Sequence, residues 1–213
     1  MTTHKSPADT DHFNRWSHSY ERHIGQFFFF DPVHRGVLNQ IEGVKGEQGP
    51  ANLLDVGCGT GRLLRKVAAR WPNARLMGVD LSEGMLDVAR RLAPGVEFRV
   101  GGAETLSLPA ASVDAALSTI SFHHWNDQAA GLRNIARMLR PSGVFCLADI
   151  VLPVGLARLY QAVNPHGLLV FFQHYRKNSP ATVRDLFSQS GLRVIAQRRM
   201  RAGFVLLTMG VKD

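Results

Sequence analysis

Cysteine is scarce: Cys58 and Cys146 are the 2 among 213 residues, and no Cys-x-x-Cys pair occurs. A disulfide framework is thereby excluded, and a reducing cytoplasm is the expected compartment. Long apolar runs are also missing. The longest candidates, residues 27–30 and 167–172, fall far short of the roughly 20 residues a membrane-spanning helix needs, so no span is expected. Residues 1–11 are polar and read as disordered rather than as a signal peptide. His4, His12, His18, His23 and His34 have no carboxylate pair at ligand spacing, and no metal site is expected. Internal repeats and low-complexity tracts are absent.

Lysine is short too, since Lys5, Lys45, Lys66, Lys177 and Lys212 are the only lysines among 25 basic residues. The formal charge of +8 therefore rests on arginines, and these are scattered. Arg65, Arg70, Arg90 and Arg137 fall at helix positions expected to face solvent. A solvated charged surface is preferred over a nucleic-acid contact, which would call for a concentrated basic patch.

What is present centres on residues 52–64, Asn-Leu-Leu-Asp-Val-Gly-Cys-Gly-Thr-Gly-Arg-Leu-Leu. Leu53, Leu54 and Val56 read as a buried strand. Gly57, Gly59 and Gly61 form a turn that lets a ligand approach the backbone. Leu63, Leu64, Val67, Ala68 and Trp71 then recur at helical spacing until Pro72. Strand, glycine turn and helix N-terminus together are expected to present free N–H groups and a partial positive charge, which suit a ligand carboxylate or phosphate. A second strand ends at Asp80, 80 − 55 = 25 positions after Asp55. An acid there can accept both ribose hydroxyls of an adenosine.

The rest of the chain repeats the strand-helix pattern. Two helices are expected across residues 12–42, an N-terminal helical cap, with Phe27 to Phe30 between them. Four consecutive aromatics cannot all face one side of a helix. Either this helix is wedged between sheet and solvent, or the aromatics form an apolar lid. Ser82 reads as the N-cap of a helix over 83–92, Val96 to Val100 as strand three and Val113 to Ser118 as strand four. Leu132, Ile135, Ala136 and Leu139 mark one helix face ending at Pro141-Ser142-Gly143, and Val144 to Asp149 is strand five. Residues 150–178 are too long for an ordinary connection and read as a helical insert. Ser179-Pro180 starts another helix, and two strands joined around Arg201-Ala202-Gly203 close the chain as an antiparallel hairpin. One domain over residues 12–213 is expected, of α/β class.

Several of these stretches resemble motifs of the class I S-adenosylmethionine-dependent methyltransferases. They are Phe13-Asn14-Arg15-Trp16 with Tyr20, Asp55 with the glycine turn, Gly78-Val79-Asp80-Leu81-Ser82, Ser121-Phe122-His123-His124-Trp125 and Leu139-Arg140-Pro141-Ser142-Gly143. The chain is similar to the small-molecule group that includes the ubiquinone and menaquinone biosynthesis enzymes. That resemblance implies a Rossmann-like three-layer sandwich around a seven-stranded, mainly parallel sheet, whose one antiparallel strand inserts beside strand five. It implies S-adenosylmethionine as cofactor and S-adenosylhomocysteine as product.

Asp55, Gly57, Cys58, Gly59 and Gly61 would hold the methionine end, and Asp80 the ribose. Leu81 and Met85 would pack on adenine, while Thr119 and Ser121 would lie near the sulfonium. Tyr20, Ala103 and Glu104 are further expected cofactor contacts. The group commonly carries an acid where this chain has Gly102, and the adenine-amino role of that acid is not moved onto Glu104.

The expected acceptor is a small, largely apolar molecule methylated on O, N or C. Phe28, Phe29, Phe172 and Tyr175 would form a hydrophobic lid over it, with Trp125 at its floor. Alternatively, these segments bury each other or a partner in a homodimer. His123 and His124 are either packing groups or a general base. Competing functions are a nucleic-acid-modifying or nucleic-acid-binding protein, and a dinucleotide oxidoreductase.

Overall fold

The computed structural model describes residues 29–151 and 178–213. The residues expected to form a disordered N-terminus and a first cap helix, most of those expected to form the insert, and Tyr20, Phe28, Phe172 and Tyr175 lie outside the described residues. Helix α1 spans Asp31–Lys45, with Pro32 in its first turn and Gly46 at its C-cap. Then follow β1 (Asn52–Val56), α2 (Arg62–Arg70), β2 (Arg75–Asp80), α3 (Glu83–Leu92), β3 (Glu97–Val100) and β4 (Val113–Thr119). A 3-10 turn at Phe122–His124 leads to α4 (Gln128–Met138) and β5 (Leu139–Ile150). The last elements are α5 (Pro180–Gln189), β6 (Leu192–Met200) and β7 (Val205–Lys212).

Strand alternation builds the layers. Leu53, Ala115, Leu117 and Cys146 join one buried cluster with Val37 and Ile41 of α1, Leu64 and Val67 of α2 and Leu86 of α3. Their neighbours Leu54, Ala116, Phe145 and Leu147 join the other, with Leu132 and Ile135 of α4 and Val183 and Phe187 of α5. Successive strand residues point to opposite faces, so a continuous apolar run in each strand buries both sides of the sheet. The strand order is β3-β2-β1-β4-β5-β7-β6. All neighbours pair in parallel except β7, which runs antiparallel to both β5 and β6. The expected seven-stranded sheet with one reversed strand is thus the architecture observed. Its order reverses between β1 and β4, and such a switch point opens a crevice at the strands' carboxyl ends.

Ser82 and Ser179 cap their helices as read from sequence, accepting from the N–H groups of Met85 and Thr182. Several boundaries differ, most of all at the end of α1 and where α4 gives way to β5, which starts at Leu139 rather than Val144. Helix α1 continues past Glu42 through Gly43, which lies on an open helix surface, to Lys45, and ends at Gly46, whose φ of 74° leaves the helical region. Leu139 does not belong to the α4 face: it is extended at φ −66° and ψ 140° and pairs with Val113, although it is fully buried. Pro141 lacks an amide hydrogen and pushes the residue before it out of helical geometry, which ends α4 early.

Some arginines are less solvated than the sequence suggested. Arg70 reaches Glu42 and Asn39 on α1, and Arg65 donates to the Thr60 carbonyl. Asp31 accepts from Arg62 and Lys66. Burial alone would raise the Asp31 carboxyl, but hydrogen bonds from these two cations outweigh it and hold the group below its ordinary value. The cap helix is thereby fastened to α2. Among the described residues no helix is long and apolar enough to cross a membrane.

Candidate functional site

The switch point is built from the ends of β1, β2 and β4. Gly57, Gly59 and Gly61 take φ values of 75°, 52° and 70°, which L side chains adopt only with strain. The Gly57 and Cys58 amides donate to the Val79 carbonyl at 2.7 and 3.0 Å, and Gly61 donates to Cys58 at 3.0 Å. The Gly59 amide donates to Asp80 Oδ2 at 2.9 Å. This corrects the expectation that the turn offers its N–H groups to a ligand: these four are tied to β2 or within the turn. What the turn supplies is space, since a Cβ at Gly59 would meet nothing within 4 Å. The amino end of α2 lies directly behind it.

Asp80 closes β2, and its Oδ1 accepts from the Ser82 amide at 2.9 Å. Each carboxylate oxygen has more than one lone-pair direction, so a fixed carboxylate can still accept hydroxyl donors. Next to it, Leu81 is exposed while Met85 is buried, so Leu81 is the apolar surface left open here. Asp55 lies on the strand before the turn and is only 1% exposed. Its Oδ1 has no hydrogen-bond partner. Burial, reinforced by the charge of Asp80, pushes its carboxyl up to about 7. A buried carboxylate oxygen without a donor calls for one, and a ligand ammonium supplies both donor and charge.

Ser121 explains why Gly57 must be glycine. A Cβ at Gly57 would collide with Ser121 Oγ and Cβ. That hydroxyl donates to the Val56 carbonyl at 3.1 Å and lies 2.9 Å from Ser118 Oγ, with the Trp125 indole donating to it at 3.3 Å. Just before it, Ile120 sits at φ 53°, an outlier for a β-branched residue, and the kink turns the chain back over β1. Trp125 packs edge-on to Phe122 at 4.9 Å and occupies the volume that a Cβ at Gly131 would enter. Thr119 ends β4 beside Ala148. Phe29 is half-buried against the α1 side of the core and edge-on to Phe30.

Ala103 is buried and its carbonyl accepts from Asn134. Glu104 Oε2 lies 3.0 Å from where a Gly102 Cβ would stand, with Leu81 next at 3.6 Å. The Glu104 carboxylate therefore reaches toward the place left vacant by the missing acid, while its Oε1 accepts the Asp127 amide at 3.2 Å.

His123 and His124 are brought together, rings 4.0 Å apart. Sequence reasoning missed the partner: Asp149, near the end of β5, lies 2.7 Å from His123 Nδ1 through Oδ1 and accepts the His123 amide through Oδ2 at 2.7 Å. The available signal was that Asp149, like Asp55 and Asp80, is an acid at a strand's carboxyl end. A separate cavity of about 200 Å³, lined by Asn52, Arg75, Glu97 and Val113 at the strands' amino ends, lies on the opposite rim. Among the described residues no cluster of three or more His, Cys, Asp or Glu side chains could hold a metal ion.

A parallel sheet that reverses at a glycine turn, with acids near the ends of β1 and β2, defines an α/β protein built to hold a nucleoside. Residues 53–143 match the family described as a methyltransferase domain. An O-methyltransferase of Pyrenophora dematioidea is 33% identical over 165 residues, covering 75% of this chain and 59% of that protein. O-methyltransferase rstn1 of Aspergillus nomiae is 30% identical over 170 residues, covering 76% and 71%. Magnesium protoporphyrin IX methyltransferase from Synechocystis, solved with SAH bound, superposes with a TM-score of 0.75 over 97% of this chain and 99% of that one, and at 17% identity shows the shared fold. The chain belongs to the class I S-adenosylmethionine-dependent methyltransferases, and S-adenosylmethionine is its cofactor. It spans 59% to 65% of the length of the first curated relatives it matches.

Proposed function

We propose that this chain transfers a methyl group from S-adenosylmethionine to a small, largely apolar acceptor. The observation that carries this reading is the unpartnered Asp55 Oδ1 buried beside the Gly57–Gly61 turn and Asp80. Asp55 would hold the ammonium of the methionine half and Asp80 the ribose hydroxyls. Leu81 and Met85 would flank adenine, with the Ala103 backbone and the Glu104 carboxylate at its edge. Thr119 and Ser121 would line the reacting methyl, and Tyr20 would be a further cofactor contact.

The bound cofactor would supply a methyl on positively charged sulfur, already reactive toward a nucleophile. The protein's work is to align the acceptor and exclude water. Phe29 and Trp125, with Phe28, Phe172 and Tyr175, would form the apolar acceptor side. His123 or His124 would take a proton where the acceptor carries one. The relatives named as O-methyltransferases favour oxygen as the atom methylated.

Asp55 gives this reading a pH test. Its carboxyl is held near 7 without ligand, so below that pH it is increasingly protonated and cannot pair with an ammonium. S-adenosylhomocysteine binding should therefore tighten as pH rises, by about tenfold per unit below neutrality, and level off above it. Calorimetry from about pH 5.5 to 8 in buffers of different ionisation heat should also show proton release on binding at the acid end. A pH-independent affinity would remove Asp55 from the ammonium site.

A further inference from the structure

We infer that Asp149 is a positioning residue that holds His123 as the base for a hydroxyl acceptor, a phenol or an alcohol. The inference rests on the methyl-transfer reading above and narrows its substrate class. Asp149 Oδ1 lies 2.7 Å from His123 Nδ1 and accepts the Ile150 amide at 2.7 Å, while Oδ2 accepts the His123 amide at 2.7 Å. A carboxylate that already accepts two backbone amides meets Nδ1 as a further acceptor, so the ring proton belongs on Nδ1. The basic lone pair of the neutral imidazole then lies on Nε2. Because one carboxylate grips both the backbone and the ring of His123, the ring's direction is fixed along with its tautomer.

Burial argues that this arrangement has a use. The His123 and Asp149 side chains are only 3% and 4% exposed. An apolar pair could join the 3-10 turn to β5 without the cost of desolvating a carboxylate. The dyad also sits at the rim where the chemistry is expected. Ser121, two residues before His123, touches the end of β1, and Asp149 is the penultimate residue of β5.

The need for a base separates acceptor classes. A carboxylate acceptor is ionised at neutral pH and needs none, whereas a phenol, titrating near 10 or so, keeps its proton. In the step proposed, the acceptor O–H proton moves to His123 Nε2 as an oxygen lone pair forms the new C–O bond. The methyl's bond to sulfur breaks with its electron pair staying on sulfur. The sulfonium charge disappears as the imidazolium charge appears, and the imidazolium later returns its proton to water.

The test uses the full chain with phenol, 4-nitrophenol and benzoate as probe acceptors, methyl gain being read by mass spectrometry. Long-range ¹H–¹⁵N spectra of the wild type should show the ring proton of His123 on Nδ1 and none on Nε2. Asp149→Asn should keep its fold by circular dichroism and bind S-adenosylhomocysteine within about threefold of wild type. Its kcat should fall about 30- to 100-fold with phenol, but less than about fivefold with 4-nitrophenol near pH 8, where that acceptor is largely ionised. Equal losses on both phenols, an Nε2-protonated ring, or a wild type that methylates neither phenol would each overturn the inference. Should Asp149→Asn fail to fold, the wild-type ratio decides. Rates for the two phenols within about tenfold support a base, and a phenol rate lower by about a hundredfold, tracking ionised fraction, rejects one. Failure of the wild type to bind S-adenosylhomocysteine would instead sink the methyl-transfer reading itself.

Discussion

Asp80→Ala should bind S-adenosylhomocysteine about a thousandfold more weakly than the wild type in calorimetric titration near neutral pH. Two ribose hydroxyls donating to a carboxylate are charge-assisted hydrogen bonds, worth about 1.5–3 kcal/mol each, and roughly 4 kcal/mol together gives that factor. A second loss adds to it. The same carboxylate accepts the Gly59 and Ser82 amides, so the substitution also frees the turn. One effect opposes both. Asp80 is the charge that, after burial, raises the Asp55 carboxyl, and removing it makes Asp55 a readier partner for an ammonium. Burial is the larger cause, so this gain recovers only a fraction of the loss. Asp80→Asn keeps one acceptor oxygen and should fall between the two proteins. Full affinity in Asp80→Ala would remove the ribose from β2.

Gly57→Val should be the most damaging single change in the site, lowering stability by about 4 kcal/mol and abolishing cofactor binding. Backbone at φ 75° costs a side chain about 1–2 kcal/mol, and a β-branched one more. Collision with Ser121 adds the rest, because that residue is held by Val56, Ser118 and Trp125 and cannot step aside cheaply. Gly59→Ala makes the contrast. It has the same left-handed backbone but open space around the Cβ, so it should cost only about 1–2 kcal/mol in denaturant melts while still weakening cofactor binding. Equal stability losses at the two positions would show that Ser121 is not the obstacle.

Local chemistry was what the sequence could reveal. The glycine turn, the acids near the ends of β1 and β2 and the capping serines Ser82 and Ser179 depend on neighbours a few residues away, and the structure has them where the reading put them. The reversed strand followed from a hairpin too short for any other pairing, with β7 then placed beside β5 by family resemblance. What stayed hidden depends on sheet register. Asp149 meets His123 only because β4 and β5 are adjacent and in step, a pairing across 26 positions that no periodicity encodes. Likewise, the turn's amides looked free because their acceptors, Val79 and Asp80, lie on another strand. The approach of Glu104 to Gly102 is a loop conformation, and neither propensity nor spacing specifies it. Leu139 misled for a different reason: a buried leucine at helical spacing satisfies both helix and strand, and Pro141 decides between them.

Titration of the wild-type chain with S-adenosylhomocysteine, run beside NAD under the same conditions near pH 8, addresses most directly whether the switch point holds a methyl-donor nucleoside. Saturable one-to-one binding of S-adenosylhomocysteine in the micromolar range, about −8 kcal/mol, with no heat from NAD is the expected result. Binding of NAD with none of S-adenosylhomocysteine would contradict it.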